Sequence, residues 1–243
     1  MKDTDWVVRV QAVQAIGKMG EAAKIAIPDI IGLLKDPDVN EFIPDTLGKI
    51  GEAAIPELIP YLSNPDSDIR GGVAFAFRYM KISQEPAILA LIPLLKDSNK
   101  SVRGSAAFAF RGMGNSAKAA IPSLILLLKD SDKDIQLSAI EALGEMGISS
   151  VPFLIPLLES PDVYIRSSAV NILTKIGPSS IPSIIPLLRN DDVYAQSSAV
   201  DTIGNMGESA KSAIPSLIPL LKSRHSYVRS RASYALKRLG YKP

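Results

Sequence analysis

Two stretches far apart in the chain, AIPSLILLLKDSDKDIQLSAIEALGEMG and AIPSLIPLLKSRHSYVRSRASYALKRLG, share one pattern. An apolar segment opened by proline leads through a short polar turn into a second periodic segment that closes on glycine. Anchoring on the first core residue of each second segment gives Val8, Val39, Ile69, Val102, Ile135, Ile165, Ala195 and Val228. The intervals are 31, 30, 33, 33, 30, 30 and 33 residues. Periods of this size mark arrays of small repeats, each of which buries its apolar face only by stacking on its neighbours.

The second segment, helix A, carries apolar residues at steps 0, 4, 8 and 11 from the anchor, as in Val102, Ala106, Phe110 and Met113. That spacing is helical. Alanine recurs at step 4 (Ala106, Ala139, Ala169, Ala199, Ala232), which allows close approach of neighbouring helices. Gly20, Gly51, Gly114, Gly147, Gly177 and Gly207 follow helix A, where a left-handed residue ends a helix. The apolar helix B opens on Pro28, Pro56, Pro122, Pro152, Pro182 or Pro215, a position that tolerates the missing N–H. Pro60, Pro156, Pro186 and Pro219 sit four residues further on and are expected to kink it. The 30- and 33-residue intervals differ through the connector, which has a long form such as GEAAKIAIP, three residues longer than the short form GEAAIP.

The Asp-x-x-Val-Arg, Ala-Leu-Gly and Ile-Pro-x-Leu elements, as in VRSRASYALKRLG and AIPSLIPLL, resemble HEAT repeats. The likeness is strongest to the short class also found in phycobilisome-lyase-like proteins, and it covers essentially the whole chain. It implies an all-α fold: a right-handed α-solenoid of stacked antiparallel helix pairs, with about eight repeats forming one array over residues 1–243. It also implies that the arginine column after the anchor (Arg9, Arg70, Arg103, Arg166, Arg229) bonds turn aspartates and carbonyls. Asn40, Gln136 and Gln196 replace arginine in that column. For function the resemblance implies a binding scaffold. Trp6 and Val7 occupy columns that are polar in other repeats. The N-terminal end is therefore expected to be covered by a partner or to continue into a longer protein.

Enzyme chemistry finds little support. Cysteine is absent, and the one histidine, His225, sits in a turn beside Arg224 and Tyr227. The His-Glu dipeptides of HEAT-like iron hydroxylases are missing. DSDKDIQLSAIE has calcium-loop spacing from Asp130 to Glu141, but position 6 is Ile135 where an EF-hand needs glycine. No catalytic, cofactor or metal residues are assigned. The N-terminus lacks an apolar signal core and no apolar run approaches a membrane span. The expected location is cytoplasmic.

Function is sought where columns deviate. Step 6 of helix A is polar in most repeats (Gln14, Asp45, Glu141, Asn171, Asp201) but aromatic at Phe75 and Phe108, with Tyr234 in the last repeat. Step 9 is usually glycine, yet the same two repeats place Arg78 and Arg111 there. With Tyr79, these residues are expected to form a protein-binding patch, and Gly71, Gly72 and Gly104 to leave a hollow beside it. Tyr164, Tyr194 and Tyr227 form a second aromatic row, one residue before the anchor. From residue 209 onward there are eight basic and no acidic residues. Arg229, Arg231, Lys237 and Arg238 are expected to attach this end to an anionic partner, such as the acidic body of another copy. A protein or peptide partner is the leading expectation. Nucleic acid held at the basic end, and a phycobilin-lyase-like subunit, are the rivals.

Overall fold

The computed structural model describes residues 3–80 and 84–242. All regular structure among them is helical. The chain divides into two compact units, Met1–Ala142 and Leu143–Pro243.

In the first unit the A helices are α1 (Trp6–Lys18), α2 (Ile43–Ile50), α3 (Ser67–Ala76), α4 (Lys100–Phe110) and most of α5 (Lys133–Glu145). The first four pack side by side in chain order. In the second unit α6 (Val163–Ile176), α7 (Val193–Asn205) and α8 (Ser226–Arg238) do the same. The anchors form the core as the periodicity requires: Val39, Val102, Ala195 and Val228 are fully buried, and Ile69, Ile135 and Ile165 nearly so. Val8 departs from the column at 44% exposure. It lies on α1, the first A helix described.

The prolines decide how each B helix is built. Where a second proline follows four residues after the first, only one α-turn forms, as in Ile55–Leu58, Val151–Leu154, Ile181–Ile184 and Ile214–Leu217. The chain then tightens into a 3-10 segment that carries that proline near its start, such as Ile185–Arg189. Proline cannot donate the i→i−4 bond, so the α-ladder stops there. The repeat with Leu126 at this place keeps an uninterrupted α-helix over Ile121–Leu127. The glycines after helix A all adopt positive φ, between 51° and 88°.

The arginine ladder is present. Arg70 donates from Nε and Nη2 to Asp97 of the next turn at 2.8 and 2.9 Å, and from Nη1 to the carbonyls of Asn64 and Pro65. Arg103 holds Asp130 the same way at 2.7 and 3.1 Å, and Arg9 holds Asp36 at 2.8 and 3.3 Å. Each bidentate pair joins one repeat's A helix to the turn that opens the next.

Glycines inside the A helices serve two different ends. A Cβ at Gly48 would collide with Tyr79, and one at Gly72 with Leu34, so both are needed for close packing. Gly72 thus packs against Leu34 as well as lining the hollow expected beside Phe75. A Cβ at Gly71 or Gly104 would meet neighbours at ordinary contact distance, 3.6 Å or more. Alanine exceeds glycine in helix propensity by about 1 kcal/mol. Gly71→Ala and Gly104→Ala are therefore expected to stabilise by up to about 1 kcal/mol each, while Gly48→Ala destabilises. Urea unfolding of the three variants checks this; a destabilised Gly104→Ala would contradict the open space seen there.

Candidate functional site

The two deviant repeats meet on one surface of the first unit. Phe75 of α3 and Phe108 of α4 stack, with ring centroids 5.5 Å apart and planes within 6°. Tyr79 stands edge-on to Phe75 at 5.8 Å. The Arg78 guanidinium lies 3.8 Å from the Phe108 ring centroid, and that of Arg111 lies 4.6 Å away. Both rings are half-buried and Arg78 is exposed. Steps 6 and 8 explain this division of labour: Phe77 and Phe110, two residues on, fill the core completely.

Arg111 also pairs with Glu141 of α5 at 2.9 Å, which fixes its position. Arg78 has no carboxylate partner among the described residues. The rings are flanked by hollows of about 260 Å³, floored by Gly71 and Gly72, and about 330 Å³, reaching Gly104 and Ile135. All five residues expected to form the patch are thus brought together. Tyr79 is held more firmly than an outward column implies, because its Cβ rests on Gly48.

In the second unit, α6, α7 and α8 line a groove of about 390 Å³. Tyr194, Tyr227 and Tyr234 contribute rings, Arg166 and Arg231 guanidiniums, and Asp201 a carboxylate. Gly204 allows the approach, since a Cβ there would lie 2.8 Å from that of Ala235. Arg231 donates to Asp201 at 3.2 Å and to the Tyr227 hydroxyl at 2.7 Å, with its guanidinium 4.9 Å from that ring's centroid. Burial pushes the Asp201 carboxyl above its ordinary value, and Arg231 offsets part of that rise.

Tyr194 and Tyr227 converge with Tyr234 on the groove, while Tyr164 is not among the residues lining it. The basic end also divides. Arg231 belongs to the groove, Arg229 bonds the carbonyls of Ser223 and Arg224, and Arg238 donates to Asn205 at 3.0 Å. Of the four, Arg231 has a carboxylate partner among the described residues, while Arg229, Lys237 and Arg238 are exposed.

His225 precedes α8, and its Nε2 accepts a hydrogen bond from Arg224 at 2.9 Å. In the calcium-like stretch, Asp130 is occupied by Arg103, Asp132 caps α5 by accepting from the Asp134 N–H, and Ile135 is buried. Among the described residues no group of three or more His, Cys, Asp or Glu is placed to hold a metal ion, and no single helix is long and apolar enough to cross a membrane.

Helix pairs joined by an arginine–aspartate ladder, with side chains displayed on the A helices, define an α-helical repeat scaffold. A family model for HEAT repeats matches residues 1–78, 88–151 and 151–237, and the chain belongs to that family. Among solved structures, an archaeal HEAT-like repeats protein from Thermococcus onnurineus NA1 is similar at 14% identity and a TM-score of 0.51, over 88% of this chain and 96% of that one. The complex of CpcE and CpcF of phycocyanin lyase from Nostoc sp. PCC7120 is similar at 20% identity and a TM-score of 0.49, over 61% of this chain and 98% of that one. No curated protein matches the sequence.

Proposed function

We propose that this chain is a non-enzymatic, cytoplasmic HEAT-repeat scaffold that binds a protein or peptide through the Phe75–Phe108 patch. The observation that carries the reading is Arg78: an exposed guanidinium stacked on a half-buried ring, without a carboxylate partner among the described residues, beside two hollows. Aromatic and arginine side chains dominate binding energy where they are desolvated by a partner, each commonly contributing about 2 kcal/mol or more on truncation. Nucleic acid held at the basic end is the second reading: Arg229 and Arg238 bond only neutral carbonyl and amide oxygens and keep their charge, whereas Arg231 is paired with Asp201.

Selection of a displayed random-peptide library on the immobilised chain tests this. The enriched peptides are expected to lose affinity about a hundredfold or more on Phe75→Ala with Phe108→Ala, while the variant remains folded. Unchanged affinity in the double variant sinks the reading. So does a loss of several kcal/mol in stability, the range for fully buried phenylalanines, which would make the rings core residues.

A further inference from the structure

Arg166 breaks the ladder. In Arg9, Arg70 and Arg103 the Nε and Nη2 edge grips the aspartate that follows the Leu-Leu-Lys of the next B helix. After Leu187, Leu188 and Arg189 that place is taken by Asn190. Arg166 keeps the Nη1 bonds of the ladder, to the carbonyls of Ser160 at 2.6 Å and Pro161 at 2.9 Å. Its Nε and Nη2 edge meets no carboxylate among the described residues. Asn190 instead donates to Glu159 at 2.9 Å and accepts from the Asp192 N–H at 2.8 Å. The guanidinium lies 4.7 Å from the Tyr194 ring centroid, in the wall of the groove.

The groove's own carboxylate, Asp201, is already committed to Arg231. The second unit carries eleven lysines and arginines against seven aspartates and glutamates, so the surrounding field favours an anion. The three tyrosines are each about half exposed and come from α7 and α8. Neighbouring helix axes lie about 8–10 Å apart, and an extended chain rises about 3.3 Å per residue. Such a chain laid across the groove would thus meet a new helix about every three residues. That suits an extended segment better than an enclosed small molecule.

We propose that this groove binds an extended acidic peptide segment, one of whose side-chain carboxylates takes the Nε–Nη2 edge of Arg166 while neighbouring residues lie over Tyr194, Tyr227 and Tyr234. The site is separate from the Phe75–Phe108 patch, and either proposal can fail without the other.

The probe is fluorescein-labelled (Glu-Pro)5, acetylated and amidated so that only side-chain carboxylates are present, titrated by fluorescence anisotropy against the full chain. Arg166→Lys, which keeps the charge but not the two-pronged edge, is expected to weaken binding about tenfold. Restoring the ladder by Asn190→Asp, with Glu159→Gln to remove the adjacent like charge, is expected to weaken binding equally, because the new carboxylate occupies Arg166. Lys222→Gln, outside the groove, is expected to change affinity less than about threefold, and Phe75→Ala with Phe108→Ala not at all. Equal binding of (Gln-Pro)5, an equal loss in Lys222→Gln, or full affinity in the ladder-restored variant would overturn the proposal. Displacement of the probe by stoichiometric succinate would also overturn it, by making the groove a small-anion site.

Discussion

Ala169→Asp is expected to unravel the second unit from α6 outward at a cost of about 3–5 kcal/mol, because it places a carboxylate with no partner in a fully buried position. Ala169 lies at step 4 of α6, where the small side chain lets the neighbouring helix approach. Each repeat is stabilised chiefly by those beside it, so the damage should spread by adjacency. Amide exchange should therefore quicken first in α6 and α7 and reach α1 to α3 last. A uniform loss of protection along the chain would mean that the array unfolds as one block, contrary to the nearest-neighbour stacking of its helices.

Arg103→Ala is expected to cost about 1–3 kcal/mol, because it leaves Asp130, whose side chain is only 6% exposed, with backbone N–H partners alone. Arg103→Gln combined with Asp130→Asn should recover much of that loss, since two neutral partners no longer leave a charge unpaired. The same pairing predicts the response to acid. Hydrogen bonds from Arg70 and Arg103 hold Asp97 and Asp130 below their ordinary value of 3.8. A carboxyl depressed in the folded state contributes stability that is present above its unfolded pKa and is lost as pH falls through the folded value. The first unit should accordingly lose stability below about pH 4, and the double variant less steeply. Identical acid unfolding of the two proteins would remove the ladder from the stability of this unit.

The repeat, the A-helix core and the glycine stops could be read from the sequence because each depends on local spacing, and repetition averages out exceptions. Val8 failed for a nonlocal reason: its column is apolar by pattern, but burial requires a helix on the other side. Spacing also assigns a face without showing what stands against it, as Leu34 does at Gly72 and Gly48 at Tyr79. The Phe75–Phe108 patch was legible as a double deviation at steps 6 and 9. The groove was not. Its members were scattered among a tyrosine row, a basic end and an ordinary polar step, and only the packing of α6, α7 and α8 gathers them. One signal was there to be used: each arginine of the ladder can be checked for an aspartate in the following turn, and Arg166 finds Asn190.

Among the described residues, connectors between A and B helices include four-residue forms such as Gly147–Ser150 and the seven-residue Gly20–Ala26, Gly114–Ala120 and Gly207–Ala213. A 3-10 helix turns once every three residues, so the longer form amounts to one added revolution, jointed where Ala117 and Ala210 leave helical φ/ψ. The first residue of the proline-opened helix is buried in either case, Ile121 after the longer connector and Val151 after the shorter. Within this 3-10 connector, insertions of three residues are thus expected to preserve the phase of the helix that follows. The same joint is where foreign sequence could be spliced in multiples of three without disturbing either neighbour.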